Sequence, residues 1–91
     1  SYAVSNIDFA ENKNAAFNFL LDKNLNAIEN NKKVIEKFKQ LNNSYKAIIV
    51  TAGGWVGGNI KDDDYFDKCL QMMNVCLYPS LLGAHLATKY L

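Results

Sequence analysis

Carboxylates, glycines and a tryptophan follow three short apolar runs, where they could contact a ligand. Asp8 ends the first run, Asp22 ends the second, and Ala52, Gly53 and Gly54, with Trp55, follow the third. A carboxylate accepts hydrogen bonds from hydroxyl groups. Glycine lets a ligand approach the backbone because it has no Cβ. An indole ring can stack on a planar ligand, worth about 0.5–1.5 kcal/mol beyond area burial.

Each of these residues also has a purely structural interpretation. Asp8 could be a cap or turn residue, and Asp22 could form an Asx turn that leads into the following helix. The glycines could form a plain tight turn. Trp55, the only tryptophan among these residues, could pack under its own loop.

The order of the elements that position these residues predicts an α/β fold. Strands alternating with helices indicate a doubly wound parallel sheet, of which this chain would hold a part, with three strands and two main helices. Ligands of such sheets bind beyond the carboxyl ends of the strands. The predicted elements are a strand ending near Asp8, a strand over Ala15–Asp22, a helix over Leu25–Leu41, a strand over Lys46–Thr51 and a long helix over Tyr65–Leu91.

Finer expectations concern the two helices. The predicted buried stripe of the first helix is Leu25, Ile28, Val34, Ile35, Phe38 and Leu41, and Asn30 falls on its solvated side. Asp62, Asp63 and Asp64 are expected to supply acceptors and negative charge at the start of the second helix. Pro79 should interrupt that helix because it lacks a backbone donor.

Composition excludes several classes of function. The 91 residues allow one domain at most, and a net charge of +1 without arginine argues against a nucleic-acid binder. Cys69 and Cys76 would lie about 10 Å apart on a helix, too far for a disulfide, so we expect free thiols and a reducing, cytoplasmic location. No signal peptide, metal-ligand spacing or glycine-rich phosphate motif is apparent. The polar residues within the apolar C-terminal run argue against a membrane span.

Three stretches resemble the quinonoid dihydropteridine reductases, a family of short-chain dehydrogenases/reductases with a Rossmann-like sheet. These stretches are AIIVTAGGWVGGN, FDKC and HLATKYL, and SNIDFAEN resembles the family's second strand. The resemblance covers nearly all of the chain, and AGGW-x-GGN is its most specific part. It implies that residues 1–91 form the central part of a single Rossmann-like NAD-binding reductase domain.

The resemblance also implies roles for individual residues. Asp8 would bind the adenosine ribose and favour NADH over NADPH, and Asp22 would lie near the adenine. Ala52, Gly53 and Gly54 would border the ribose on the nicotinamide side, and Trp55 would stand at the mouth of the pterin pocket. The helix Asp64–Leu91 would form the interface of a homodimer. The implied reaction is NADH-dependent reduction of quinonoid dihydropteridine to tetrahydropteridine.

Two departures from the family pattern bear on catalysis. Cys76 stands where many relatives have an asparagine that supports a proton relay, with Asn74 two residues away. The family's glycine-rich loop and its catalytic Tyr-x-x-x-Lys fall outside residues 1–91, so we expect an internal segment with no catalytic residue of its own. Two other functions stay open: a short-chain reductase for another carbonyl or imine substrate, and a non-catalytic dimerising or binding fragment.

Overall fold

The computed structural model describes residues 2–91 and divides the chain into two compact units. The first unit extends to Leu41, and the second covers Asn42–Leu91. Within residues 2–91 they contain two strands and two main helices, the second of which is interrupted. The predicted α/β class is confirmed, but with two strands and not three.

The first unit is built on a two-stranded parallel sheet. Strand β1 covers Ser5–Asp8 and strand β2 covers Phe17–Leu20, and their register pairs Ser5 with Phe17 and Asp8 with Leu20. Both strands lie within runs that the sequence predicted as strands. Because the pairing is parallel, the carboxyl ends of both strands meet at one edge of the sheet.

Asparagine side chains tie down the connection between these strands. Only residues 9–16, eight in all, join β1 to β2, whereas a parallel crossover usually takes a dozen or more. Asn6 and Asn18 are cross-strand partners, and the Asn6 Nδ2 donates to Asn18 Oδ1 at 3.0 Å. The same Asn18 oxygen accepts the backbone N–H of Asn12 at 2.9 Å, and Asn18 Nδ2 donates to the Asn12 carbonyl at 3.1 Å. The connection therefore folds over the polar side of the strand pair.

Helix α1, Ala27–Leu41, packs on β2 and has well-defined ends. The Asn26 side chain caps its start by accepting the backbone N–H of Glu29 at 2.8 Å. Its end is followed by Asn42, whose φ of 48° is the left-handed conformation common after helices. Phe38 stacks on Phe19 of β2 with ring centroids 4.9 Å apart, and this pair forms much of the core of the unit.

Three details of the predicted α1 stripe are wrong. Asn30, placed on the solvated side, is only 4% exposed, whereas Ile28 and Leu41, placed in the stripe, are 51% and 39% exposed. The buried residues of α1 are Asn30, Val34 and Phe38, four residues apart, so the buried face is a single narrow row. A polar side chain can occupy this row because it finds hydrogen-bond partners there.

The predicted third strand is also wrong. Residues 46–51 form no strand, and no ladder joins them to any residue of the described range 2–91. β-branched residues favour a pleated, half-buried surface, but a strand also needs a neighbour that completes its hydrogen bonds. The segment instead packs on the C-terminal helix at Gly83. A Cβ added to this glycine would lie only 2.6 Å from the Val50 side chain and 3.7 Å from the Ile48 side chain.

The long helix of the second unit runs almost as predicted. It consists of α2, Tyr65–Met72, a π-helical turn, Met73–Leu77, and α3, Tyr78–Tyr90. The π-helical turn ends two residues before Pro79, which lies in the first turn of α3, so the helix is interrupted next to the predicted position. Leu82, Leu86 and Tyr90 supply the buried apolar side chains of α3. Within residues 2–91, no helix is long and apolar enough to cross a membrane.

Candidate functional site

Asp8 stands exposed at the carboxyl edge of the two-stranded sheet. Its Oδ1 accepts the backbone N–H of Phe9 at 2.7 Å. The backbone N–H of Leu21 donates to the Asp8 carbonyl at 2.9 Å, which continues the pairing one residue beyond the ends of β1 and β2. Within residues 2–91, the Asp8 Oδ2 accepts no hydrogen bond, so one carboxylate oxygen is open to a ligand.

Asp22 follows β2 at the same edge of the sheet and forms the Asx turn that the sequence allowed. Its Oδ1 accepts the backbone N–H of Asn24 at 2.8 Å, and its side chain is exposed. The structural interpretation of Asp22 is therefore confirmed. A contact with adenine stays a prediction.

The buried Asn30 fixes the backbone of Asp22. Its Oδ1 accepts the backbone N–H of Asp22 at 2.9 Å, and its Nδ2 donates to the carbonyl of Asp22 at 3.0 Å. Sequence reasoning missed this residue. The signal was its position, four and eight residues before Val34 and Phe38, which places it on the buried row of α1.

The glycine loop of the second unit contains two kinds of glycine. A Cβ on Gly53 would meet nothing within 4 Å, and one on Gly54 would touch Val75 only at an ordinary 3.6 Å. No glycine within residues 2–91 has a positive φ. The backbone at Gly53 is therefore accessible, and this supports the prediction that a ligand could approach it closely.

The second glycine pair serves packing within the loop. A Cβ on Gly57 would overlap the indole ring of Trp55, and one on Gly58 would lie 2.7 Å from the side chain of Lys68. Trp55 nevertheless remains 84% exposed. Its ring lies across the backbone of Gly57, so Trp55 packs in part on its own loop, as the structural interpretation of the sequence allowed. Most of the indole is still accessible.

Two sulfur atoms of the long helix hold the loop on either side of Trp55. The Cys76 thiol donates to the carbonyl of Gly54 at 3.3 Å. The backbone N–H of Val56 donates to the Sδ of Met72 at 3.1 Å. These contacts were not predicted, because both partners are far apart in sequence and neither sulfur belongs to a recognisable motif. Both cysteines are free thiols, as predicted.

An ion-pair cluster joins the end of the loop to α2. Lys68 Nζ lies 3.3 Å from both Asp62 Oδ2 and Asp64 Oδ1. The pKa of Asp62 lies below its ordinary value of 3.8. The larger cause is the hydrogen bond from the backbone N–H of Asn59, and the smaller is the bond from Lys68. The hydrogen bonds to Asp62 and Asp64 raise the pKa of Lys68. The predicted negative charge of Asp62 and Asp64 at the start of α2 is therefore confirmed.

The capping part of that prediction is wrong. Asp64 occupies the N-cap of α2, but its side chain makes no capping hydrogen bond. Its carboxylate is 3.3 Å from Lys68 one turn later, and an oxygen engaged there cannot also turn back to the first helical N–H groups.

A cavity of about 280 Å³ lies between the loop and α2. Its lining is largely apolar and consists of Val56, Gly58, Tyr65, Lys68, Cys69 and Met72. The neighbouring Cys69 thiol raises the pKa of Tyr65. Because two aspartates neutralise Lys68, this cavity offers no free positive charge to an anion. Within residues 2–91, no group of acidic, histidine and cysteine side chains could hold a metal ion.

Comparison with known proteins points to a reductase. No family model matches the chain. Over all 91 residues, however, the chain is 33% identical to a dihydropteridine reductase of Dictyostelium discoideum. The chain spans 38% of the length of that relative. The similarity supports a relationship to this reductase, and the partial coverage leaves the whole protein's activity as a proposal.

Proposed function

We propose that the full-length protein reduces quinonoid dihydropteridine to tetrahydropteridine with NADH. The observation that carries the proposal is the similarity along the whole chain to a dihydropteridine reductase. The parallel strand pair, with carboxylates at its carboxyl edge, supports the same conclusion from the geometry. We propose that residues 1–91 are the central part of a single Rossmann-like domain, in which they bind the adenosine end of the cofactor and part of the pterin.

The surroundings of Asp8 fit the ribose of a nicotinamide dinucleotide. Its carboxylate is exposed, one oxygen is occupied by the Phe9 N–H, and the other is available to a ribose hydroxyl. A negative charge here disfavours the additional phosphate of NADPH. When bound, the cofactor supplies the hydride for the reduction. Asp8 orients the adenosine end, and Asp22, at the same edge, would lie beside the adenine.

The glycine loop would contact the nicotinamide end of the cofactor and the pterin. The accessible backbone over Ala52, Gly53 and Gly54 would border the nicotinamide ribose. The exposed indole of Trp55 would face the flat pterin ring, because an aromatic face both stacks on a planar ligand and loses its contact with water there. Among residues 1–91 we assign no catalytic residue, and the proton donor would lie elsewhere in the full-length protein.

We further propose that the long helix forms a homodimer interface. Large apolar side chains recur at every third or fourth position along its solvent-exposed side: Phe66, Leu70, Met73, Leu77 and Leu81. A continuous apolar stripe of this kind is typical of a protein–protein contact. It lies apart from the residues that α3 buries within its own unit.

Steady-state kinetics of Trp55→Ala in the full-length protein test the proposed role of this residue. Loss of the stacking surface should raise the KM for the pterin about twofold to thirteenfold, from a stacking energy of about 0.5–1.5 kcal/mol. The KM for NADH should change little. Trp55→Phe, which keeps an aromatic face, is the matched control and should recover most of the pterin affinity. Equal changes in both KM values would instead indicate that Trp55 only folds the loop.

A further inference from the structure

Two sulfur atoms lie against the glycine loop: that of Met72, the last residue of α2, and that of Cys76, within the π-helical turn Met73–Leu77. Pro79 provides a local cause for this turn, because it has no N–H to donate and its ring displaces the carbonyl four residues earlier. The helix adapts in two ways: the N–H of Tyr78 donates to the carbonyl of Met73, and the Ser80 hydroxyl donates to the carbonyl of Cys76 at 3.2 Å. Such turns are uncommon and often lie at functional sites.

The two sulfur contacts bracket Trp55. Cys76 bonds to the carbonyl of Gly54, the residue before it, and Met72 accepts the N–H of Val56, the residue after it. Met72 and Cys76 are four residues apart, so they project from neighbouring turns of the helix toward the same stretch of backbone. One contact uses the sulfur as donor and the other as acceptor, so the peptide groups on both sides of Trp55 are fixed in orientation.

We propose that Met72 and Cys76 are positioning residues that set the direction of Trp55 and the accessible backbone at Gly53 and Gly54. The inference rests on the proposed function, because it assigns these two sulfurs to the pterin side of that site. It gives Cys76 a task that requires a protonated thiol, as the donor to Gly54. Neither sulfur touches the substrate, so both act through the loop.

Hydrogen exchange of the Val56 amide in the full-length protein tests the contact independently of activity. Met72→Leu keeps the size of the side chain and removes the acceptor, so the Val56 amide should exchange about twofold to tenfold faster, the ordinary effect of losing one hydrogen bond. Gln71→Ala, an exposed neighbour on the same helix, is the control and should leave the exchange rate unchanged. An unaltered rate in Met72→Leu would overturn the proposal for Met72.

Kinetics of Cys76 variants test the effect on the site. Cys76→Ala should raise the KM for the pterin about twofold to tenfold with a smaller change in kcat. Cys76→Ser, which keeps a donor, should recover part of the loss, whereas a merely structural role would not distinguish a donor from an apolar group. Equal KM values for wild type and Cys76→Ala would overturn the assignment. If no pterin is reduced, the proposed function fails, and the exchange experiment still decides whether the sulfur contacts hold the loop.

Discussion

Replacing Asn30 by alanine should lower the free energy of unfolding more than the same replacement of an exposed helical asparagine. The side chain is 4% exposed and makes two hydrogen bonds to the backbone of Asp22. Each is worth about 1 kcal/mol net, so the loss is about 2 kcal/mol, within a range of about 1–3 kcal/mol. Water can reach the exposed Asp22, so its freed backbone groups need not remain unsatisfied, and this keeps the loss below the upper end of the range.

The neighbouring Asn31 provides a matched control. Alanine is the better helix former by up to about 0.7 kcal/mol, and both substitutions gain this amount in the same helix. No hydrogen bond of the Asn31 side chain is present within the described residues. The difference between Asn30→Ala and Asn31→Ala therefore isolates the two bonds to Asp22.

Urea unfolding of the full-length protein measures this difference. We expect a lower midpoint for Asn30→Ala with an unchanged slope, and a difference in unfolding free energy between the two variants of about 2 kcal/mol. A difference smaller than about 0.5 kcal/mol would refute the reasoning, because it would lie below the ordinary worth of a single hydrogen bond.

Three further predictions concern the site, the loop and the helix. Asp8→Asn keeps the acceptor for the Phe9 N–H but removes the charge, so calorimetric titration should find NADH binding about tenfold weaker and the gap to NADPH narrower; an unchanged ratio would make Asp8 structural. The pKa of Asp62 lies below 3.8 in the folded protein. The ionised Asp62 therefore stabilises the fold above pH 3.8, and this contribution is lost as the pH falls through the lowered pKa. Lys68→Met should raise the pKa of Asp62 only partly in an NMR titration, because the Asn59 N–H is the larger cause, and a full return to 3.8 would contradict this. Leu70→Glu should shift sedimentation from dimer to monomer, and an unchanged dimer would place the interface elsewhere.

Local pattern was sufficient to predict most of the secondary structure. The two parallel strands are signalled by short apolar runs, helix α1 by its hydrophobic periodicity, and the long helix by a long apolar run without strand-like alternation. The strand predicted over Lys46–Thr51 does not form, because a strand exists only with a neighbour to pair with, and local pattern does not show whether that neighbour is present. Asn30 was misplaced for a related reason, since its partners lie eight residues away in a loop.

The candidate site was predictable where topology alone determines position. Asp8 and Asp22 meet at one edge because parallel strands end together. The loop was less predictable, because its geometry depends on distant side chains. Gly57 and Gly58 are explained by Trp55 and Lys68, and the sulfur contacts appear only when the long helix is folded against the loop.

The most direct test of the central claim is the initial rate of NADH oxidation by the purified full-length protein with quinonoid dihydropterin as the acceptor. Parallel reactions would contain NADPH in place of NADH, or a simple carbonyl compound in place of the pterin. We predict saturable oxidation with the pterin, faster with NADH than with NADPH. No NADH oxidation with the pterin, or oxidation only with the carbonyl compound, would contradict the proposed function.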